Sequence, residues 1–498
     1  MEKAVILIQI FLPVFAGLLT MLRPLFRKNV YRHRFVAAVL LISAAVTLSG
    51  LFCETTTITL FELTGTIRLV LCNDGLARFF CTLVVIVWLF VGMYSFRYLR
   101  KTGKTNLFYA SFLMSSGVLQ AVALSGNLVT FYMFFEWMTM LTFPLVLHSK
   151  TKESVRAAKK YFFFSIAGAC LSLAGIFLLA MNTNGITFTQ SLCEDANMGQ
   201  VHLAAVLLLF GFGTKAGMFP MHGWLLVAHP AAPAPASAVL SGLVTKVGVL
   251  GIIRSLYYVI GIDALAGTYV QTVFLTVSLL TVFMGSMLAY KEKVLKKRLA
   301  YSTVSQVSYI LFGLALMTPQ GYAAALMHMA AHCVIKVALF LFAGTVIHET
   351  GQERVEGLKG VGKLLPVTLW CFTIASLGLV GIPPTAGFIS KWYLATAAMD
   401  TNVGVFSYLG PVVLLLSALL TAGYLLTITA DGFYPGKDFV PKEAEKHGNG
   451  TEKEGGLLML LPLLFFAVLT VVLGVFAQPI CHVISQLAGT ALGTVFLR

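Results

Sequence analysis

The sequence contains little charge and especially few acidic residues. Only 11% of its 498 residues are charged, and 20 Asp and Glu residues stand against 35 Lys and Arg residues. A water-soluble protein of this length would carry roughly 25% charged residues. Because 58% of the residues are hydrophobic, polar side chains cannot cover the folded surface. The composition therefore excludes a soluble domain and predicts a polytopic membrane protein.

Several functional signatures are also missing. The eight cysteines form no CxxC pair and no iron–sulfur spacing, so we expect neither a cofactor nor a metal on this chain. The apolar run at 4–22 is followed by arginines instead of a cleavage site, which predicts a membrane span. Basic residues occur in short clusters between apolar stretches, a pattern that excludes nucleic-acid binding. No phosphate-binding loop or nucleophile–base pair is present, so we expect no catalytic chemistry on this chain.

Hydrophobic runs of spanning length predict an all-α fold with about fourteen transmembrane helices. These spans lie near 4–22, 35–52, 76–96, 107–126, 127–148, 161–181, 201–228, 236–258, 270–290, 299–317, 320–347, 365–396, 405–430 and 457–477. Loops after odd-numbered spans hold 26 Lys and Arg residues, whereas loops after even-numbered spans hold only Arg68. Because cytoplasmic loops are enriched in Lys and Arg, we expect both termini on the outer side of the plasma membrane.

Two of the predicted spans are interrupted by glycine and proline. Span 7 contains GFGTKAGMFPMHGW at 211–224, and span 12 contains GLVGIPPTAGFISKW at 378–392. Broken helices at matching positions indicate an inverted-repeat transporter with an ion site near the membrane midplane. The predicted units are 1–106 with helices 1–3 and an outer hairpin, 107–258 as the first five-helix repeat, 270–430 as the second, 431–456 as a polar cytoplasmic loop, and 457–498 as helix 14 and a tail.

Five charged residues lie deep inside the predicted spans: Glu136, Lys215, Lys246, Lys336 and Lys391. A buried lysine must pair, lose its proton or line water, and burial makes proton release easier. We therefore predict that Glu136 pairs with Lys215 as a proton-releasing switch. The alternative is that these lysines reach the membrane surface or form structural ion pairs. Purely structural pairing would need about as many acids as bases, and here the lysines outnumber the glutamate four to one.

His328, His332 and Lys336 are spaced at i, i+4 and i+8, which places them on one helix face. A row of titratable groups suits proton relay. Zinc binding would need a further ligand that the sequence does not offer, and histidines hydrogen-bonded within a wet core are the remaining alternative. Nearby hydroxyl and amide groups are candidates for holding water between the lysines: Ser241, Thr245, Ser302, Ser305 and Gln306. His222 and His229 lie near the connection between spans 7 and 8.

Several stretches resemble one known family. They are FFEWMTM (134–140), FGTKAGMFPMHGWLLVAHPAAPAPASAVLSGLVTKVGVLG (212–251), LKKRLAYSTVSQVSYIL (295–311), HMAAHCVIKVALFLFAGTVIHETG (328–351) and GIPPTAGFISKW (381–392). They are similar to the antiporter-like, proton-conducting membrane subunits of complex I, of Mrp sodium/proton antiporters and of membrane-bound hydrogenases. The resemblance implies fourteen helices, with helices 4–8 and 9–13 as inverted repeats.

The resemblance also implies roles for individual residues. The helix 5 glutamate falls on Glu136, the helix 7 and helix 8 lysines on Lys215 and Lys246, the helix 11 row on His328, His332 and Lys336, and the last residue of the path on Lys391. In the family these residues form a polar axis at mid-membrane. The implied partners are other membrane subunits of one complex, including homologous antiporter-like subunits, with protons as the transported ion and sodium as the alternative.

Three functions stay open on the sequence. The first is a proton-translocating subunit of a redox-driven complex, resembling complex I or a membrane-bound hydrogenase. The second is the D-type subunit of an Mrp-type sodium/proton antiporter without a redox module. The third is a scaffold that conducts no ions, which the presence of Glu136 together with all four lysines argues against.

Overall fold

The computed structural model describes residues 2–22, 26, 28–62, 64, 68–100, 105–189, 192–436 and 453–492, and most of them are helical. The first half contains α1 (Glu2–Met21), α2 (Asn29–Ser49), α3 (Gly75–Tyr98), α4 (Asn106–Ala123), α5 (Leu128–Val146), α6 (Lys152–Ala180), α7 (Met198–Ala216), α8 (Leu225–Ala231), α9 (Ala234–Val239) and α10 (Thr245–Ile252). The second half contains α11 (Tyr269–Lys291), α12 (Leu295–Ala315), α13 (Pro319–Thr350), α14 (Val361–Leu364), α15 (Pro366–Val380), α16 (Ala386–Asp400), α17 (Phe406–Phe433), α18 (Leu457–Val475) and α19 (Ala477–Leu492). The predicted all-α membrane fold is confirmed.

Among the described residues, 12 helical segments are long and apolar enough to cross a membrane. The other two predicted spans correspond to α12 and to the pair α15–α16. Helix α12 has a basic first turn followed by serine, threonine and glutamine, which lowers its hydropathy. Helices α15 and α16 are 15 residues each, because a break divides the span. The total of fourteen and the inverted repeats stay predictions.

Both predicted helix breaks are present. Helix α7 ends at Ala216, where Gly217 adopts a left-handed conformation with φ of 83°, and a short turn at Met221–Trp224 leads into α8. Helix α15 ends at Val380, where Gly381 has φ of 92°, and α16 begins at Ala386. Each break leaves carbonyl groups in the last turn of the first half without helical partners. Those carbonyl ends are negative, so each break favours a cation beside it.

The hairpin expected within the first unit is present as two strands. Strand β1 (Thr57–Glu62) pairs antiparallel with β2 (Arg68–Cys72). Cys53 and Cys72, which flank the hairpin, are free thiols. The predicted polar loop at 431–456 begins later than expected, because α17 continues through Phe433. Residues 437–452 of that loop lie outside the described residues.

The core of the described chain is built around α13 and the continuous segment Ala234–Ile260, in which almost every residue is buried. Helix α13 packs against α9, α12, α15, α16 and α18. The Ala234–Ile260 segment combines α9 and α10 with two π-helical turns, at Leu240–Val244 and Ile253–Ile260. Such turns occur often at functional sites because they free carbonyl groups from the regular helical ladder. The candidate site lies along these elements.

Candidate functional site

Lys215 sits in the last turn of α7, and its side chain is 2% exposed. Its Nζ donates hydrogen bonds to Thr139 Oγ1 at 2.8 Å, to Ser165 Oγ at 2.8 Å and to Tyr161 OH at 3.1 Å. The amine also lies 4.5 Å from the centroid of the Tyr161 ring. Three hydroxyls and an aromatic face therefore surround the amine, a setting that can hold either protonation state.

The predicted contact between Glu136 and Lys215 is absent. The two side chains form no ion pair in the described structure, because the hydroxyls of α5 and α6 occupy the positions around Nζ. Glu136 Oε1 is buried and has no hydrogen-bond partner among the described residues. Glu136 lies one helical turn from Thr139, which contacts the Lys215 amine, so the carboxylate is close to the amine without touching it.

Close helix packing explains the hydroxyl shell around Lys215. A Cβ on Gly168 of α6 would lie 2.8 Å from Gly211 O of α7, and a Cβ on Gly248 of α10 would lie 2.4 Å from Phe212 O. Only glycine permits these approaches. They bring Ser165 of α6 within hydrogen-bond distance of the Lys215 amine. The sequence cannot show this contact, since it depends on how the helices pack.

Lys246 lies next to the first π-helical turn and is fully buried. Its Nζ donates a 2.5 Å hydrogen bond to Ser241 O, a carbonyl of that turn. The same carbonyl accepts a hydrogen bond from Thr245 Oγ1. Ser241 O therefore accepts hydrogen bonds from two side chains of the following turn.

Lys336 on α13 is also fully buried. Its Nζ donates to Leu299 O at 3.1 Å and makes a short hydrogen bond with Ser302 Oγ, both on α12. Gly242 in the π-helical turn approaches Val337 of α13 so closely that a Cβ there would lie 2.8 Å from Val337 Cγ2. Lys246 and Lys336 therefore come from two segments in direct contact.

The two histidines of α13 continue from Lys336 along the helix. The rings of His328 and His332 stack with centroids 6.0 Å apart, and the Tyr309 ring stacks on His328 at 5.3 Å. His328 Nδ1 lies 2.9 Å from Ser390 Oγ on α16. The predicted common face of these residues is present, and it leads towards the second helix break.

Lys391 follows Ser390 directly. Its Nζ donates hydrogen bonds to Leu379 O at 2.5 Å and to Val380 O at 3.0 Å, the last carbonyls of α15. It also lies 5.0 Å from the centroid of the Tyr309 ring. Lys391 thus places its amine at the negative C-terminal end of α15, the half-helix before the second break. Lys215 has the corresponding place at the first break, in the last turn of α7.

Several buried polar atoms along this path have no hydrogen-bond partner among the described residues. They are both ring nitrogens of His332 and the amide oxygen of Gln306. Buried polar groups normally bind a partner or an ordered water. Of the predicted water-holding groups, Ser241 instead bonds Thr303 at 2.8 Å, and Ser305 joins Ser286 and Ser417.

Two features of the site were missed on the sequence. Lys296, assigned to a basic loop, lies inside α12 with only 8% exposure, and its Nζ donates to Ala232 O at 2.9 Å. His229, which the sequence places near the connection between spans 7 and 8, is fully buried and stacks on Phe340 at 4.9 Å. The predicted start of α12 is four residues late because the basic cluster resembles a loop.

The other feature missed on the sequence is a buried ion pair. Arg254, fully buried in the second π-helical turn, binds Asp74 through two hydrogen bonds of 2.5 and 2.9 Å. Asp74 also accepts a hydrogen bond from Ala77 N and so caps α3. The partners are 180 positions apart in sequence, and no local pattern connects them.

Comparisons with known proteins agree with this architecture. Residues 125–421 match the family described as NADH:quinone oxidoreductase/Mrp antiporter, TM. The chain is 33% identical to NADH-quinone oxidoreductase subunit N of Desulforudis audaxviator over 426 residues, which is 83% of each chain. It is 32% identical to the D-type subunit of the Na(+)/H(+) antiporter of Bacillus subtilis over 402 residues, which is 80% of each chain.

The fold also matches a chain in the structure of the membrane-bound sulfane sulfur reductase, an archaeal respiratory membrane complex. That match has a TM-score of 0.87 with 22% identity, and it covers 98% of both chains.

Proposed function

From the premise that the chain belongs to the NADH:quinone oxidoreductase/Mrp antiporter membrane family, we propose that it relays protons across the membrane as one subunit of a larger complex. The relay uses Glu136, Lys215, Lys246, Lys336, His332, His328 and Lys391. Each side chain can gain and lose a proton, and burial in a low-dielectric core brings amines within reach of deprotonation.

One observation supports this proposal most strongly. Both ring nitrogens of the buried His332 have no hydrogen-bond partner among the described residues, and His332 lies between Lys336 and His328 on α13. Water at these atoms would complete a hydrogen-bonded path from Lys336 to Lys391. Buried polar groups normally bind protein or ordered water, so these atoms are candidate water sites.

The Glu136–Lys215 switch operates by a change of distance. With the carboxylate apart from the amine, as in this structure, Lys215 loses the stabilisation of its charge and releases its proton more readily. Approach of Glu136 would hold the proton on the amine. In the separated state, the hydroxyls of Thr139, Tyr161 and Ser165 accept hydrogen bonds from the amine.

Proton flux into proteoliposomes containing the purified complex tests the relay. Lys336→Ala and Lys391→Ala are expected to leave the complex assembled and to abolish coupled proton transport. Lys293→Ala is the matched control, because this lysine is exposed and pairs with Glu356 at the surface. Normal transport in both relay variants would refute the proposal.

Two energy sources are compatible with this proposal: a redox module and a sodium gradient. The similarity to a quinone oxidoreductase subunit supports coupling to a redox module, and the similarity to a D-type antiporter subunit supports sodium/proton exchange. Affinity purification from native plasma membranes, followed by mass spectrometry, separates them. Co-purifying iron–sulfur or flavin proteins would establish the redox-driven pump. Membrane subunits alone, with sodium-dependent proton flux, would establish the antiporter and overturn the redox assignment.

A further inference from the structure

The first turn of α15, the half-helix before the second break, binds a side chain from a distant part of the chain. Glu454 Oε1 accepts a hydrogen bond from Val367 N at 2.8 Å. Its Oε2 accepts hydrogen bonds from Thr368 N at 2.9 Å and from Thr368 Oγ1 at 2.6 Å. Glu454 is buried in the short turn Lys453–Gly455 just before α18, 86 positions after Thr368. The carboxylate therefore joins this turn to the beginning of α15.

This carboxylate satisfies the amides that the beginning of α15 leaves free. The first four N–H groups of a helix have no intrahelical partner. In α15, Leu365 N donates to a carbonyl of the preceding turn, and Pro366 has no N–H. The remaining two groups belong to Val367 and Thr368, and both donate to Glu454. The N-cap side chain cannot replace the carboxylate, because leucine has no hydrogen-bond acceptor.

The backbone conformation at Glu454 indicates that the side chain is needed at this position. Glu454 has φ of 65°, in the left-handed region, and Gly455 and Gly456 follow with φ of 74° and 81°. Glycine adopts this conformation freely, whereas a residue with a Cβ is strained there. A turn alone would therefore be formed better by a third glycine. The three hydrogen bonds of the carboxylate offset the strain of the glutamate.

The opposite end of α15 binds the amine of Lys391. Leu379 O and Val380 O, in the last turn, accept the hydrogen bonds from Lys391 Nζ. A helix of 15 residues is about 22 Å long. The helix dipole is positive at the first turn, where Glu454 binds, and negative at the last turn, where Lys391 binds. Each end of α15 therefore contacts a group of the opposite charge.

Close packing fixes the C-terminal end of α15 and leaves its first turn to be held by Glu454. A Cβ on Gly378 would lie 2.6 Å from Thr470 Cγ2 of α18, and a Cβ on Gly387 of α16 would lie 1.8 Å from Gly378 O. The helix is interrupted directly after this contact, at Gly381. A change in the tilt of α15 would therefore turn about the break and move the carbonyls that bind Lys391. The carboxylate at the first turn opposes such a tilt.

We propose that Glu454 is a positioning residue for the proton relay: it holds the first turn of α15 and thereby keeps the last carbonyls of α15 on the Lys391 amine. The inference rests on the proposed relay function of Lys391. It connects the end of the predicted polar loop at 431–456 to the second helix break, through a helix that neither residue belongs to.

Hydrogen exchange of the purified complex, measured by mass spectrometry on peptides from α15, tests the positioning role without measuring transport. Glu454→Gln removes the charge and one acceptor, and it is expected to speed exchange along all of α15, by roughly tenfold in the first turn. Glu356→Gln is the matched control, because Glu356 is exposed and pairs with Lys293 at the surface. Faster exchange confined to the first turn would show a local cap only and would overturn the proposal.

Proton flux in proteoliposomes is the second readout, with a variant that protects against misfolding. Glu454→Gly removes the carboxylate and relieves the left-handed backbone, so Tm is expected to stay near that of the wild type. Flux is expected to fall roughly tenfold, because the carbonyls at Lys391 are displaced. Glu454→Asp keeps a carboxylate and is expected to restore part of the flux. Normal flux in Glu454→Gly, or no recovery in Glu454→Asp, would overturn the positioning role.

The relay and the positioning role fail in different ways. Normal flux in Lys391→Ala would refute the relay at this residue, and with it the inference, even if α15 exchanges faster in Glu454→Gln. An inactive Lys391→Ala together with a fully active Glu454→Gly would leave the relay intact and overturn the inference alone.

Discussion

The imidazole of His328 on α13 is joined to the hydroxyl of Ser390 on α16, with Nδ1 and Oγ 2.9 Å apart. Because Ser390 directly precedes Lys391, this contact connects the histidine row to the second broken helix. The proposed relay therefore passes from α13 to the second helix break through the Ser390 hydroxyl, so removing this hydroxyl tests the connection.

Ser390→Ala is expected to slow proton transport roughly tenfold, because the hydroxyl that links His328 to the Lys391 segment is lost. Ser376→Ala is the matched control, since Ser376 is equally buried on α15 and its Oγ has no hydrogen-bond partner among the described residues. Proton flux in proteoliposomes is the measurement. Equal slowing in both variants would show a packing effect and count against the contact.

Lys246→Arg is expected to abolish proton relay while preserving positive charge. Arginine keeps its proton at all physiological pH values, so it cannot pass one on. The comparison variant is Lys293→Arg, which makes the same exchange at an exposed surface lysine and is expected to transport normally. Retained transport in Lys246→Arg would mean that the proton path bypasses residue 246.

Glu136→Gln is expected to abolish coupled transport with the complex intact. The amide keeps the size of the side chain and removes the negative charge that the proposed switch requires. Glu153→Gln provides the control, because Glu153 is exposed in the first turn of α6. Assembly is followed by size-exclusion chromatography and transport by proton flux. Undiminished flux would eliminate the switch.

Arg254→Gln is expected to destabilise the protein by about 3–5 kcal/mol, because it leaves Asp74 without its buried partner. The control is Arg68→Gln, which breaks an ion pair with Glu62 whose side chains are 56% and 58% exposed. Such surface pairs contribute about 0–1 kcal/mol. Thermal unfolding in detergent measures both. Similar Tm values for the two variants would contradict the role assigned to Arg254.

The sequence by itself determined the membrane class, the positions of most helices and both helix breaks. These features depend on local physics: the length of apolar runs, the placement of Lys and Arg, and glycine and proline that cannot continue a helix. The sequence also identified the relay candidates, because a charged lysine inside a membrane span costs free energy in any helix arrangement. The row on α13 followed from helical spacing alone.

Only the tertiary structure decided which groups touch. Lys215 contacts hydroxyls of α5 and α6 instead of Glu136, and Gly168 lets α6 approach α7 closely enough for Ser165 to reach the amine. Lys296 is buried because α12 begins before the apolar run does. Arg254 finds Asp74 across 180 residues. Each of these contacts depends on the distance and rotation between helices, which are set by packing over the whole chain and leave no local pattern in the sequence.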